Sequence, residues 1–272
     1  YVKEIDVYPF EGMLSNISKV EMSVGGCAAN TSIDLRIIDD SLPVEVLGMV
    51  GDDANGRYIT DMLTRHGIGI RGVRVNSCTM TSFTDVMTVS DSKARTFFHA
   101  RGANAVFGFE DIDFDSIRSR FFHIGYALLL DSFDAPDPEY GTVMAKTLAY
   151  AQQKGLVTSM DVVSESSDRF TAVVTPSLKY CDNLIINEVE ASMICRAPVR
   201  RGGALDKGAL KEVCSKLMDA GVKQRVVIHA PEAACALEKD GGFVYVPSLK
   251  LPAGYIKGTV GAGDAFCAGV LY

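Results

Sequence analysis

The chain has 272 residues, 47% of them hydrophobic and 22% charged, which is ample material for one large core. Its formal net charge of −7 excludes the basic face that a broad nucleic-acid footprint requires, while leaving room for one local phosphate pocket. Seven cysteines (Cys27, Cys78, Cys181, Cys195, Cys214, Cys235 and Cys267) are scattered singly with no C-x-x-C pair, which points to reduced thiols and a cytoplasmic protein, and no apolar run is long enough for a membrane span.

The chain opens with Tyr1-Val2-Lys3-Glu4-Ile5-Asp6-Val7, and residues 20–24 alternate as a strand. Gly25-Gly26 ends that strand, and residues 27–38 carry apolar side chains at helical spacing with Asn30 in the first turns. Asn30 is either a polar residue in a small-residue helix contact or an amide reaching a ligand hydroxyl through the gap the glycines leave. Residues 44–50 read as a strand, Asp52 and Asp53 stand where helix N–H groups need acceptors, and a helix over 55–66 stops at Gly67. Strands follow at 73–75, 84–90 and 95–99, the last two joined by a polar turn at Asp91-Ser92-Lys93. This hairpin breaks the strand–helix rhythm and predicts a small sheet covering a site. Arg101-Gly102-Ala103-Asn104-Ala105 comes next, where Asn104 by itself reads as a turn residue.

From residue 121 the pattern is regular. A strand at 121–124 leads to a helix capped by Asp137-Pro138-Glu139 and stopped at Gly155, followed by strands at 156–161 and 183–186. A helix over 206–220 places Leu210, Val213, Cys214, Leu217 and Met218 on one face before a strand at 225–229. Strands alternating with helices predict a parallel sheet between helical layers. Asn187 and Glu190, three apart at a helix start, fit a capping box without any chemistry. The last segment is Gly258-Thr259-Val260-Gly261-Ala262-Gly263-Asp264-Ala265-Phe266-Cys267-Ala268-Gly269. Its small residues let backbone approach a ligand, and the helix they open presents unpaired N–H groups and a positive dipole end with Asp264 inside. An anion site holding a carboxylate suggests phosphoryl transfer, although an aspartate merely capping a closely packed helix has the same pattern. The segment lacks the Lys and Ser/Thr of a P-loop and the third glycine of a dinucleotide fingerprint.

Val260-Gly261-Ala262-Gly263-Asp264-Ala265-Phe266, together with Gly25-Gly26-Cys27-Ala28-Ala29-Asn30, resembles the paired signatures of the ribokinase-like carbohydrate and nucleoside kinases, the phosphofructokinase-B type. The resemblance covers essentially the whole chain, as one domain over residues 1–272. It implies an α/β fold, a central, mostly parallel sheet flanked by helices in three layers. It also implies a small β-sheet lid drawn from residues 1–24 and 72–101, which closes over the sugar and serves as a homodimer surface. The implied activity is ATP-dependent phosphorylation of a sugar hydroxyl, with Asp264 as base and the N–H groups around Gly261, Ala262 and Gly263 holding the phosphate. Gly25, Gly26, Asn30, Asn104 and Arg101 would then face the sugar, with His99 a further candidate, Asn187 the nucleotide, and Glu190 a Mg²⁺ ion through water. The implied partners are a small sugar and ATP, with no nucleic acid and no membrane. An adenosine or nucleoside kinase and a non-catalytic sugar-binding sensor are the competing readings, and the Gly-Ala-Asn segment favours a sugar.

Departures from the family pattern are also visible. Gly258 stands where many relatives carry an Asp tied to a monovalent-cation site, which speaks against potassium dependence. His229-Ala230-Pro231-Glu232-Ala233-Ala234 replaces a Thr-x-Gly-x-x-Gly nucleotide contact, and Asp161-Val162-Val163-Ser164-Glu165 lacks the Asn and Arg that follow that Asp in relatives. Relatives also open with an earlier strand bearing a hydroxyl-binding Asp, for which Asp6 is a poor substitute, and continue beyond the position of Tyr272. The chain is therefore expected to be truncated at both ends.

Overall fold

The computed structural model describes residues 1–164, 169–256 and 258–272, so Glu165 of the departing Asp161 stretch lies outside the described residues. In chain order the elements are β1 (Val2–Ile5), β2 (Ile17–Glu21), α1 (Cys27–Ile38), β3 (Glu45–Gly51), α2 (Ala54–Arg65), β4 (Gly69–Asn76), β5 (Phe83–Val89), β6 (Arg95–Ala100) and α3 (Ala103–Val106). The second half contributes β7 (Phe121–Ala127), α4 (Asp131–Asp134), β8 (Pro136–Asp137), β9 (Gly141–Thr142), α5 (Val143–Gln153), β10 (Val157–Val162), α6 (Phe170–Leu178), β11 (Asn183–Asn187) and α7 (Glu188–Cys195). It ends with β12 (Arg200–Arg201), β13 (Ala204–Leu205), α8 (Lys207–Asp219), β14 (Arg225–His229), β15 (Ala233–Glu238), β16 (Phe243–Pro247) and α9 (Ala262–Leu271).

The largest sheet has the strand order β16-β15-β14-β11-β10-β7. Strands β7, β10, β11 and β14 run parallel, and β15 and β16 return antiparallel at one side. Side chains of a strand alternate between faces, which here divides the core into two layers. Leu184, Ile186, Val226 and Ile228 join Leu148, Leu178, Leu210 and Leu217 of α5, α6 and α8 in the main core. Ile185 and Val227, one residue out of phase, pack instead with Cys267 and Phe266 of α9 on the opposite face. Strands buried on both sides between helices account for the uninterrupted apolar runs of β11 and β14. The result is the expected three-layer α/β architecture.

A second, smaller sheet is ordered β2-β1-β5-β6 and draws its strands from the ranges expected to supply a lid. β4, which overlaps the start of the 72–101 range, pairs in parallel with β3 and not with this sheet. Two further sequence expectations shift. In α1 the buried side chains are Cys27, Ala29, Thr31 and Ser32, whereas Ile37 and Ile38 are exposed, because α1 uses its small residues against α9. The Asp137-Pro138-Glu139 stretch does not start a helix. It forms the β8–β9 turn, in which Asp137 Oδ1 accepts from the N–H groups of Glu139 and Tyr140, and Thr142 caps α5. Asp53 caps α2 as expected, accepting from Gly56 N–H at 2.8 Å. No described helix is long and apolar enough to cross a membrane.

Candidate active site

The C-terminal ends of β7, β10, β11 and β14 deliver Tyr126, Asp161, Asn187 and His229 to one edge of the sheet. A parallel α/β sheet places its binding crevice at this edge. The start of α9 faces it. Gly261, in the left-handed region at φ 78°, caps the helix, and a Cβ there would lie 3.7 Å from Asn30 Nδ2. Ala262 N–H is held in the turn by Thr259 C=O at 3.2 Å. The N–H groups of Gly263 and Asp264 have no partner among the described residues, so the open donors at the helix mouth belong to these two.

Asp264 is 6% exposed, yet its carboxylate is directed at polar groups: Oδ2 accepts from Asn30 Nδ2 at 2.8 Å and from the Tyr126 hydroxyl at 3.3 Å. Burial raises its pKa, against the pull of the Asn30 and Tyr126 hydrogen bonds. The two glycine motifs, 234 residues apart at Asn30 and Asp264, thus meet in one hydrogen bond. Gly26, at φ 91°, caps α1, and a Cβ on Gly25 or Gly26 would meet nothing within 4 Å. That open space lies at the mouth of α1, the helix that carries Asn30.

Other expected residues are placed elsewhere. Arg101 is paired with Asp131 at the start of α4. Asn104 lies half-buried in α3, and no hydrogen bond among the described residues joins it to the Asn30–Asp264 pair. His99 hydrogen-bonds Thr84 Oγ1 across the β5–β6 pair at 2.8 Å. Gly258 lies near β6 as well, since a Cβ on it would stand 3.8 Å from the Arg95 guanidinium.

Asn187 and Glu190 form the capping box that their spacing predicts. Asn187 Oδ1 accepts from Val189 and Glu190 N–H, and Glu190 Oε2 accepts from Asn187 N–H, each at 2.9 Å. Ser164, from the stretch that departs from the family pattern, joins them by donating to Glu190 Oε1 at 2.8 Å and accepting from Asn187 Nδ2 at 3.0 Å. Burial pushes the Glu190 carboxyl up to about 7 despite these donors. The turn at Pro231-Glu232 is held by Arg200, which bridges Glu232 and Glu188. His229 stacks on Phe266 of α9 with ring centroids 4.6 Å apart, and burial lowers its pKa.

Sequence reasoning did not single out Tyr126, nor assign Asp161 a role. Tyr126 takes φ 63° and Leu128 φ 86°, a left-handed backbone rare outside glycine and concentrated at functional sites. This conformation turns the Tyr126 hydroxyl toward Asp264 and its N–H toward Asp161 Oδ1, at 2.7 Å. Burial also raises the phenol pKa, keeping Tyr126 a neutral donor. The adjacent Gly125 is the available signal. A Cβ there would fall 2.1 Å from Cys27 Sγ and 2.8 Å from Asp161 Oδ1, so α1 approaches β7 only because residue 125 has no side chain. We expect Gly125→Ala to destabilise the chain by about 1–3 kcal/mol through overpacking. A lower denaturant midpoint at an unchanged slope would show this, and an unchanged midpoint would refute it.

Comparison with known proteins bears on the family and the fold. Residues 2–272 match the family described as pfkB family carbohydrate kinase. The 5-dehydro-2-deoxygluconokinase of Geobacillus kaustophilus (strain HTA426) is 26% identical over 92% of this chain and 72% of its own length. The ATP-dependent ribose-1-phosphate kinase of Halopiger xanaduensis is 26% identical over 98% of this chain and 78% of that protein. Among solved structures, the Arabidopsis thaliana ribokinase complexed with ribose and ATP superposes with a TM-score of 0.76 at 20% identity, covering 98% of this chain and 80% of that one. A fructokinase from Xylella fastidiosa with bound ATP gives 0.71 at 20% identity, covering 100% and 78%. With a family match across nearly its full length, the chain belongs to the pfkB family of carbohydrate kinases.

Proposed function

We propose that this carbohydrate kinase transfers the γ-phosphoryl group of ATP to a hydroxyl of a small sugar, with Asp264 as the base. The observation that carries this reading is the 2.8 Å hydrogen bond between Asn30 and Asp264, which puts the motif suited to a sugar and the motif suited to a phosphate at one helix mouth. The open N–H groups of Gly263 and Asp264 would hold the transferring phosphate. Asn30 and Tyr126 orient the Asp264 carboxylate toward the acceptor hydroxyl. A carboxylate is a far weaker base than an alkoxide, so the proton moves late, as a loose phosphoryl-transfer transition state allows.

Magnesium bound with ATP would neutralise phosphate charge, and Glu190 fits an indirect role toward it. Both of its oxygens already accept a hydrogen bond, and each keeps a further lone pair for a metal-bound water. The lid edges expose Val20 on β2 and Phe97 and Phe98 on β6, and we place a homodimer contact there. The free thiols of all seven cysteines fit a reducing cytoplasm.

The test is a coupled assay of ADP release over pentoses, ketohexoses, keto-deoxy sugar acids and adenosine, with direct binding measured in parallel. Release with a sugar and none with adenosine is the expected result. Release with adenosine alone would make the chain a nucleoside kinase, and sugar binding without release would make it a sensor.

A further inference from the structure

One turn along α9 from Asp264, three different metal-ligating side chains converge. Cys27 Sγ lies 3.5 Å from His123 Nε2 and 3.3 Å from Asp161 Oδ2, and those two atoms are 3.7 Å apart. Cys27 and Asp161 are buried and the His123 side chain is nearly so. Among the described residues no other trio of Cys, His, Asp and Glu brings its ligand atoms this close. Zinc bonds of about 2.3 Å to sulfur and about 2.0–2.1 Å to nitrogen or oxygen set ligand atoms roughly 3.3–3.6 Å apart around a tetrahedral ion. The two separations from Cys27 Sγ fall within that range, and the third, at 3.7 Å, is slightly wider, so a bound ion would draw His123 and Asp161 together. Cys267 of α9, whose Sγ is 3.6 Å from the same Nε2, is a further soft donor beside the remaining position.

The groups behind the trio are arranged as the outer contacts of a metal site are. His123 Nδ1 pairs with Ser159 Oγ at 2.9 Å, and a ring that donates there leaves its Nε2 lone pair facing Cys27 and Asp161. Tyr126 N–H occupies Asp161 Oδ1, leaving Oδ2 for the cluster. The plainer reading is a self-satisfied polar core in which the His123 ring supplies the positive charge facing Asp161. Among the described residues no Lys or Arg pairs with Asp161, whose ion-pair partner is the His123 ring. A proton on Nε2 would supply one positive charge, and a divalent cation competes for the same lone pair.

We propose that Cys27, His123 and Asp161 form a site for one zinc-like divalent cation, separate from the Mg²⁺ that accompanies ATP. Thiolate and imidazole select zinc over magnesium, which prefers oxygen ligands. Binding exchanges the Cys27 S–H bond for a metal–sulfur bond and releases that proton to solvent. The ion joins the start of α1, which carries Asn30, to β7 and β10, and so fixes the floor of the site.

The test uses the full chain, stripped with a chelator under reducing conditions, returned to chelator-free buffer, and titrated with Co²⁺ and then Zn²⁺. One Co²⁺ per chain, a thiolate-to-cobalt charge-transfer band, displacement by Zn²⁺ and persistence under excess Mg²⁺ are expected. Cys27→Ser should remove the band, and His123→Gln should weaken Zn²⁺ binding at least about tenfold. Where Cys27→Ser does not fold, the wild-type spectrum and a Zn²⁺-dependent rise in Tm decide the matter. A wild-type chain without the thiolate band, or a band that survives in folded Cys27→Ser, overturns the site. None of these readouts depends on the sugar kinase reaction.

Discussion

Asp264→Asn is expected to lower turnover by about 10²–10⁴-fold, the usual contribution of a general base, while leaving the fold intact. The structure gives the reason for the second half of that result. Asp264 Oδ2 receives the Asn30 amide and the Tyr126 hydroxyl, and an asparagine turned with its carbonyl oxygen toward the same donors keeps both contacts. Because burial raises the Asp264 pKa, the charged form is disfavoured by its surroundings, and a neutral amide should leave Tm unchanged or higher. Sugar binding through Asn30 should persist. Steady-state kinetics beside a thermal melt and a sugar-binding isotherm separate the effects. Near-wild-type turnover would reject Asp264 as the base, whereas a fall in Tm with lost binding would mean that its contacts are structural.

The meeting of Asn30 with Asp264 was legible because each lies in a motif with a physical signature. Glycines open the backbone before a helix, and a polar side chain stands in the first turn. The α/β order was legible from strands such as residues 183–186, whose apolar run is long enough for burial on both faces. What failed to show were pairings decided by tertiary contact. Nothing near Arg101 in sequence identifies Asp131, 30 residues on, as its partner. The left-handed backbone at Tyr126 and Leu128 is marked in the sequence by no more than the neighbouring Gly125, since neither position itself carries the glycine that usually adopts it. Residues 73–75 read as a strand, but alternation names a strand without naming its neighbour, here β3. The Cys27–His123–Asp161 cluster draws on α1, β7 and β10, and no local spacing could announce it.

Glu190 offers the second large effect, and it separates a cap from a cation-linked residue. Its pKa is raised from an ordinary 4.5 to about 7, chiefly by burial, so the folded chain holds this proton more tightly than the unfolded chain. Its stability contribution is therefore fully present below about pH 4.5 and is lost as pH rises through about 7. At 1.36 kcal/mol per pKa unit, the loss approaches about 3 kcal/mol by pH 8, as an upper bound. Glu190→Gln removes the titration while retaining an acceptor for Asn187 N–H, and its side-chain amide donates to Ser164 Oγ in place of the present bond. The variant should match the wild type in stability near pH 4.5 and exceed it at pH 8, by up to about 3 kcal/mol in denaturant unfolding. A stability difference independent of pH would refute the raised pKa. If Glu190 also holds a water of the magnesium bound with ATP, the same variant should lose roughly 10–100-fold in activity and require more Mg²⁺ for half-maximal rate, even at the pH where its fold is the more stable. A variant that gains stability and keeps full activity at ordinary Mg²⁺ would make Glu190 solely the partner of Asn187 in the helix cap.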